Sequence, residues 1–584
     1  MSPTSRNAPC PCGSGRKAKD CCSSGKGAAA GPDAAADSPL LRGGLLAAFV
    51  AFLLCRLYFK IWDPDLWFHL SIGRYIVQHG LIPHANLFSW TDPAQPWVVH
   101  EWLSQVLFYG VYSRFSAGGV LLLRMTVFLA VFGVLLRSVR RPGWELLNIG
   151  GLAVAAHAAA MRFNDRPEMF SALFIAVQLL VLERRRRGEK APLWVIPLIQ
   201  ALWANMHGYY LLGIALIVLY WAGTAWSEGL RRSRDLAVLA GAALLACLAN
   251  PRFGACLLHT LRSARLSMEA NIHEFAPTFS SWADFRETGW FEIEKLAVWL
   301  PALCLLSNRR RVPAAHWLVW AAFLGMYLRS QRNLLFIAVL AFPIALWNLR
   351  EALEEWVGAH PSFAPRRLKP VLGVLLAGAL LWSAQDFASG RFYRRGGYFL
   401  APGTGFSSLH SPVGACDYVV DAGLQGPAFN NYVAGNYLLW RFPDRKVFID
   451  GRGVEAYGRA FFSSYWDIAG GKVPLAAFTA RYPVRYFLID PFQDPGVVPL
   501  LRALGRDPAW KPAYIDHAGV VFVPSSDERP MTLRRPGGAG GSREPRQLVW
   551  EHYNLGSILL WLGKDALAQK EFSEVFRMEP DFST

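Results

Sequence analysis

Arg184-Arg-Arg-Arg187, then Pro192-Leu-Trp-Val-Ile-Pro-Leu-Ile-Gln-Ala-Leu-Trp-Ala-Asn-Met-His-Gly-Tyr-Tyr-Leu-Leu-Gly-Ile-Ala-Leu-Ile-Val-Leu-Tyr-Trp-Ala-Gly-Thr-Ala-Trp226, then Arg231-Arg-Ser-Arg234, is the stretch on which the topology turns. Read as one helix, residues 192–226 put the two basic clusters on opposite sides of a membrane. Read as two spans broken near Asn205, they put both clusters on the same side. Positive loops are retained on the cytoplasmic side of polytopic proteins, so the broken reading is preferred.

Working outward from this pair, apolar segments recur at 43–60, 117–136, 146–161, 168–183, 192–206, 209–226, 236–250, 290–307, 314–329, 333–349 and 371–387. Each approaches the length that crosses a hydrocarbon core of roughly 30 Å. The 290–307 segment carries Glu292, Glu294 and Lys295 at one end. Basic clusters then fall on alternate loops: Arg137, Arg140 and Arg141; Arg184 to Arg187 with Lys190; Arg231, Arg232 and Arg234; Arg309 to Arg311; and Arg366, Arg367 and Lys369. The expectation is a mainly α, polytopic helical membrane protein of about eleven spans. Its N-terminus is placed inside and its C-terminus outside.

Composition agrees. Of 584 residues, 53% are apolar and 18% charged, with 60 Lys and Arg against 43 Asp and Glu and a net charge of +17. This balance excludes a disordered chain, a collagen and a disulfide scaffold. A nucleic-acid surface is excluded because the arginines punctuate spans and do not interleave with aromatics on one soluble domain. A transporter is disfavoured by the lack of an internal repeat with paired broken helices.

The tail carries Cys10-Pro-Cys12, with Gly13 and Gly15 in the turn, and ends in Cys21-Cys22. This run resembles the small zinc motif at the C-terminus of the SecA translocation ATPase, the SEC-C motif. The resemblance implies a structural Zn²⁺ held by Cys10, Cys12, Cys21 and Cys22 within residues 1–24, a closed four-thiolate site with no open position for catalysis. Residues 25–42 read as a flexible linker. The five remaining cysteines, Cys55, Cys247, Cys256, Cys304 and Cys416, are scattered and read as small apolar packing groups.

The first long loop, residues 61–116, opens with Ile61-Trp-Asp-Pro-Asp-Leu-Trp-Phe-His-Leu70. Trp67, Leu70, Tyr75 and Ile76 lie near helical spacing, as in a helix lying in the membrane interface. Trp62, Trp67, Trp97 and Trp102 read as an interfacial aromatic belt. Acidic residues directly after the first span resemble the hallmark of the GT-C superfamily of integral-membrane glycosyltransferases. The resemblance covers about residues 40–390 and implies transfer of a sugar from a polyprenyl-phosphate carrier to a lipid, glycan or protein acceptor, at the outer face of a bacterial cytoplasmic (inner) membrane. It assigns Asp65 as the base that takes the acceptor proton, with Asp63 supporting it or binding a divalent cation. Asp63-Pro64 is equally a helix start, an N-cap followed by a first-turn proline. His69, His100 and Glu101 are candidate substrate contacts, and equally interfacial histidines and a cap.

Ionisable residues near the same face complete the set. Arg124 lies within the second span, where an arginine is costly unless it snorkels or meets an anion. Arg162 and Arg166 occupy the next outer turn, His207 the break between the fifth and sixth spans, and Arg329 and Arg332 the turn after the ninth. Arginine suits a carrier phosphate because its planar paired donors stay protonated, and Arg166 and Arg332 are the preferred ligands.

Residues 251–289, including His273-Glu-Phe-Ala-Pro277, form a second outer segment. After the last span, residues 388–525 read as a periplasmic mixed α/β domain with strand-like runs at Lys446–Ile449, Arg485–Ile489 and Val520–Val523. Phe429-Asn-Asn-Tyr432, Gly435-Asn-Tyr-Leu-Leu-Trp440 and Val447-Phe-Ile-Asp-Gly-Arg452 resemble the outer domain attached to some bacterial members of the same group. Asp450 and Arg452 read first as a turn with an ion pair, and second as an acceptor contact. A glycine-rich link at 526–546 leads to residues 547–584, which resemble a single tetratricopeptide repeat through Leu555-Gly556, Gly563, Ala568, Phe572 and Pro580. The implied partners are membrane lipids, the lipid-linked sugar, its acceptor, and proteins recruited by the zinc motif and the helical repeat. The rival reading is a non-enzymatic membrane scaffold that recruits partners through those two terminal modules.

Overall fold

The computed structural model describes residues 39–269, 277–279, 293–360, 368–395, 399–537 and 544–582. The four tail cysteines, His273, Glu292, Arg366 and Arg367 lie outside these residues. A helix stands at each expected apolar segment: α1 (Pro39–Leu57), α3 (Trp102–Val139), α4 (Glu145–Ala159) and α5 (Glu168–Arg186). There follow α6 (Val195–Trp203), α7 (Tyr210–Glu228), α8 (Arg234–Ala246), α10 (Ile293–Ser307), α11 (Ala314–Arg329), α12 (Leu334–Ala359) and α13 (Lys369–Ala388). Two others, α2 (Asp65–His79) and α9 (Gly254–Glu269), lie in connections. Among the described residues, five helices are long and apolar enough to cross a membrane: α1, α3, α7, α12 with the turn before it, and α13.

The break inside 192–226 is present between Trp203 and Tyr210. Backbone freed from a helix needs partners when water is scarce, and neighbouring side chains supply them. Asn205 donates to the Ala201 and Ala249 carbonyls at 2.8 and 2.7 Å, and Asn250 donates to the Ala204 carbonyl at 2.9 Å. From α3, Ser104 donates to the Met206 carbonyl at 2.8 Å, and the indole of Trp102 donates to Asn205 Oδ1 at 2.8 Å.

The centre of the bundle is α12, whose side chains are buried from Leu334 to Asn348. A helix that is apolar all round belongs in the middle of its neighbours. Packing there relies on small residues, since lipid is as apolar as the helices themselves. A Cβ on Gly223 of α7 would sit 2.3 Å from the Ala315 backbone nitrogen of α11. One on Gly373 of α13 would sit 2.7 Å from Leu41 of α1.

Basic loops meet one another at one end of the bundle. Arg185 pairs with Asp235 at 2.7 Å, Arg311 with Glu355 at 2.8 Å and Arg141 with Glu354 at 3.2 Å. Lys369 donates to the Gly143 carbonyl at 3.2 Å. The opposite end carries the first long loop and the soluble domain.

That domain contains α14 (Arg391–Arg395), α15 (Val413–Asp421), α16 (Tyr432–Arg441), α17 (Gly453–Ala469), α18 (Leu475–Arg481) and α19 (Val498–Arg506). They surround a sheet of β1 (Ala428–Asn430), β2 (Tyr486–Ile489), β3 (Trp510–Ile515), β4 (Val520–Pro524) and β5 (Thr532–Leu533), in the order β1-β2-β4-β3-β5. The β1–β2 and β3–β5 pairs are parallel; β2–β4 and β3–β4 are antiparallel. The run at Lys446–Ile449 is not a sheet strand. Its Val447 pairs with the first long loop at Ser89, while Phe448 N and the Ile449 carbonyl are taken by the Asn430 side chain of β1 and not by a backbone ladder. β5 also falls inside the expected link, so that segment is partly held by the sheet.

Three further expectations change. The first long loop holds two helical pieces, α2 and the start of α3, the latter kinked at Ser116 with φ 52°. α2 does not lie in the interface with one free face: the soluble domain covers it, and Trp67 stacks on Phe406 at 4.4 Å and meets Tyr437 at 5.1 Å. Nor do the four tryptophans form a lipid belt. Trp67 donates to Ser411 Oγ at 2.8 Å, Trp97 lies under Arg452, Trp62 packs on Phe399 and His410, and Trp102 holds Asn205.

At the C-terminus, α20 (Pro545–Trp561) and α21 (Asp565–Met578) form a helical hairpin. Its closeness depends on Gly556, where a Cβ would sit 2.8 Å from the Phe572 ring. The hairpin docks on its own chain: Lys60 donates to Gln547 at 2.6 Å and Ser408 to Glu551 at 2.6 Å.

Candidate active site

Asp63 and Asp65 sit where α1 gives way to α2. The backbone N–H of Asp65 donates to Asp63 Oδ1 at 3.0 Å, so Asp63 does help start the helix. Its other oxygen accepts from Arg166 Nε, and a second guanidinium nitrogen of Arg166 lies 3.1 Å from Asp65 Oδ2. From the soluble domain, Asn436 donates to Asp65 Oδ1 at 3.0 Å. The two carboxylates differ in access. Asp63 has no exposed side-chain surface, whereas Asp65 keeps 24% and faces a cavity of about 610 Å³. The guanidinium of Arg166 stands between them, in the place where the sequence allowed a divalent cation.

His69, His100, Glu101, Arg166, His207 and Arg332 line the same cavity. Glu101 is the hub of its polar wall, with His207 Nε2 at 3.5 Å, His100 Nε2 at 3.6 Å and His69 Nδ1 at 3.8 Å. Ser171 holds the other nitrogen of His207 at 2.8 Å. Burial disfavours charge on all of these groups. It prevails at His69 and His207, which are pushed down to about 4 and about 3. At His100 burial is outweighed by the Glu455 and Glu101 carboxylates, which raise the imidazole to about 9. At Glu101 burial is likewise outweighed, and the facing His100, His207 and His69 hold the carboxyl well below its usual range. Arg332 stacks over the Tyr209 ring at 5.4 Å, at the edge of the cavity.

The other expected arginines are elsewhere. Arg124 is fully buried and pairs with Asp165 at 2.7 Å, while its second nitrogen donates to the Leu57 and Phe59 carbonyls. It ties α3 to the end of α1 and to the turn before α5, and does not line the cavity. Arg162 pairs with Glu168 inside that turn. Arg329 is exposed at the end of α11 and does not line the cavity.

Of the half of the cavity that comes from the soluble domain, sequence reasoning reached only Arg452, as a second reading, and missed Tyr432, Glu455, Trp466 and Asp494 as site residues. The motifs that stood out there are the ones that shape it. Asn430 bonds Phe448 N and the Ile449 carbonyl at 2.8 and 2.6 Å, fastening β1 to the 447–452 segment. Asn436 accepts from Gly451 N at 2.6 Å while donating to Asp65. Asp450 and Arg452 form the expected ion pair, at 2.6 Å, closed by Tyr457 and by Asn86 of the first loop. Gly435 lets α16 lie on this segment, because a Cβ there would stand 1.9 Å from the Ile449 carbonyl oxygen. Gly435→Ala must therefore shift α16 and carry Asn436 away from Asp65. A loss of about 1–3 kcal/mol is expected from such overpacking, read as a lower midpoint of thermal unfolding in detergent.

The SEC-C motif family matches residues 6–24. No curated protein sequence matches the chain. Among solved structures, the archaeal oligosaccharyltransferase AglB from Archaeoglobus fulgidus, in complex with an inhibitory peptide and a dolichol-phosphate, is similar with a TM-score of 0.51 at 11% identity, covering 85% of this chain and 75% of that one. The same organism's oligosaccharyltransferase tethered to an acceptor peptide matches at a TM-score of 0.51 and 12% identity, with the same coverage. ArnT from Cupriavidus metallidurans bound to undecaprenyl phosphate matches at a TM-score of 0.45 and 13% identity, covering 84% of this chain and 99% of that one. The likeness to AglB is one of fold: this mainly helical chain, with five helices among the described residues long and apolar enough to cross a membrane, shares the architecture of that oligosaccharyltransferase.

Proposed function

We propose that the chain is a membrane glycosyltransferase that takes a sugar from a polyprenyl-phosphate carrier and passes it to a lipid, glycan or protein acceptor. Transfer takes place at the end of the bundle that bears the soluble domain. The collected arginines at the other end support placing this site on the outer face of the bacterial cytoplasmic membrane, with about eleven crossings. The observation that carries the reading is the inequality of the two aspartates: Asp63 is sealed against Arg166, and Asp65 opens on a cavity with histidines, Glu101 and Arg332 on its walls. AglB, with the same fold, was captured with a dolichol-phosphate and a peptide.

In this reading the acceptor hydroxyl gives its proton to Asp65 as its oxygen bonds the anomeric carbon. The bond from that carbon to the carrier phosphate breaks, and the phosphate keeps the electron pair. Arg166 and Arg332 hold the departing phosphate, the use for which fixed guanidinium donors are best suited. Asp63 positions Arg166. Asn436 fixes the rotamer of Asp65, so the base is oriented by the soluble domain. His69, His100, Glu101 and His207 line the acceptor side. At the tail, Cys10, Cys12, Cys21 and Cys22 hold a structural Zn²⁺, supported by the SEC-C match.

The test is reconstitution of the full chain in liposomes with radiolabelled polyprenyl-phosphate sugars and envelope extracts as acceptors. The reading expects label to move from carrier to acceptor and the carrier phosphate to be released. Carriers left intact across hexose and pentose donors would overturn it.

A further inference from the structure

His100, His259 and Glu455 belong to three separate parts of the chain: the end of the first long loop, helix α9, and the first turn of α17 in the soluble domain. Their donor atoms all lie within 4.8 Å of one another. His100 Nδ1 is 3.6 Å and His259 Nε2 is 3.4 Å from the same Glu455 oxygen. Those separations exceed an ordinary N–H···O hydrogen bond, which ends near 3.2 Å. His100 Nδ1 is moreover buried with no hydrogen-bond partner. The spacing fits a different arrangement. Two donors each bound about 2.0–2.2 Å from one tetrahedral Zn²⁺ stand roughly 3.3–3.5 Å apart.

The surroundings agree. His100 turns its other nitrogen toward the Glu101 carboxylate, 3.6 Å away, so Nδ1 is the nitrogen that faces His259 and Glu455. Ser263 Oγ, on the same helix, hydrogen-bonds His259 Nε2 at 3.2 Å, a contact that metal binding at that nitrogen replaces. All three candidate ligands line the cavity.

We propose that His100 Nδ1, His259 Nε2 and the Glu455 carboxylate bind one divalent transition-metal ion, for which Zn²⁺ best suits two imidazoles and one carboxylate. The ion joins the first loop, the connecting helix α9 and the soluble domain at their common seam. This site is distinct from the four-cysteine tail and from the Asp63–Asp65 pair, and its presence does not depend on sugar transfer.

The test uses full-length protein in which Cys10, Cys12, Cys21 and Cys22 are all serine, which removes the tail as a source of metal. After zinc loading and exhaustive dialysis, mass spectrometry of the metal is expected to find about one Zn²⁺ per chain, against about two in the unaltered protein. Adding Glu455→Gln, or separately His259→Ala, is expected to reduce the serine-substituted chain to background. Zinc is also expected to raise its unfolding temperature, and to leave that of the Glu455→Gln variant unmoved. A second readout covers a variant that fails to fold. Co²⁺ added to the serine-substituted chain is expected to give the visible d–d bands of a four-coordinate site, with zinc displacing them. Zinc at background in the serine-substituted chain, or unchanged zinc content after both ligand substitutions, overturns the proposal.

Discussion

Asp65→Asn is expected to lower sugar transfer by about 10²–10⁴-fold while leaving protein level and unfolding temperature near those of the parent. Asparagine keeps the size of the side chain and can still meet Asn436, but it takes no proton from an acceptor hydroxyl. The loss belongs chiefly in kcat, since Arg166 loses its contact with Asp65 but stays held by the buried Asp63; at the midpoint, about 10³-fold, it corresponds to roughly 4 kcal/mol of barrier. Asp63→Asn is expected to act differently. That carboxylate is buried and touches Arg166, so its removal loosens a phosphate ligand and raises KM as well. Transfer that survives both substitutions at unaltered protein level contradicts the enzyme reading and leaves the scaffold.

Arg124→Leu is expected to cost about 3–5 kcal/mol of stability, because it leaves a charge in the protein interior without its partner. The Asp165 side chain is 1% exposed and pairs with Arg124, which is itself wholly buried. The Leu57 and Phe59 carbonyls lose a donor at the same time. Exchanging both members, Arg124→Leu with Asp165→Leu, is expected to recover part of the loss, since no unpaired charge then remains. Denaturant titration of the purified protein measures this. If Arg124 were a phosphate ligand, the single variant would keep its stability and lose donor affinity instead.

The split between these two roles shows how far the chain could be read unaided. Arg124 stood alone in an apolar run, and its partner Asp165 lies directly before Arg166, in the turn already singled out. The acid was visible; what could not be seen is which of the turn's charges reaches back to α3. The apolar segments were legible, a helix standing at each, and the basic loops between them meet at one end of the bundle, because hydropathy and loop charge are local properties that need no tertiary knowledge. The break near Asn205 was legible for the same reason, although the side chains that satisfy it come from α3 and from Asn250.

The aromatic residues misled. Trp67 and Trp97 have the signature of a membrane belt, yet large amphipathic rings serve equally at a seam between domains, where these two are buried. The soluble half of the cavity was hidden by distance along the chain. Asn436 reaches Asp65 across 371 residues, and nothing in local pattern links them. The signal that existed was the density of Asn, Gly and Asp in the 429–452 motifs, which marks tight backbone contact without naming what is touched.

The most direct measurement is a structure of the full chain in lipid with a polyprenyl phosphate bound. The account predicts its phosphate against Arg166 and Arg332, with Asp65 facing the position that the anomeric carbon takes in the loaded carrier. A phosphate seated at the opposite end, among Arg185, Arg311 and Arg141, would contradict it.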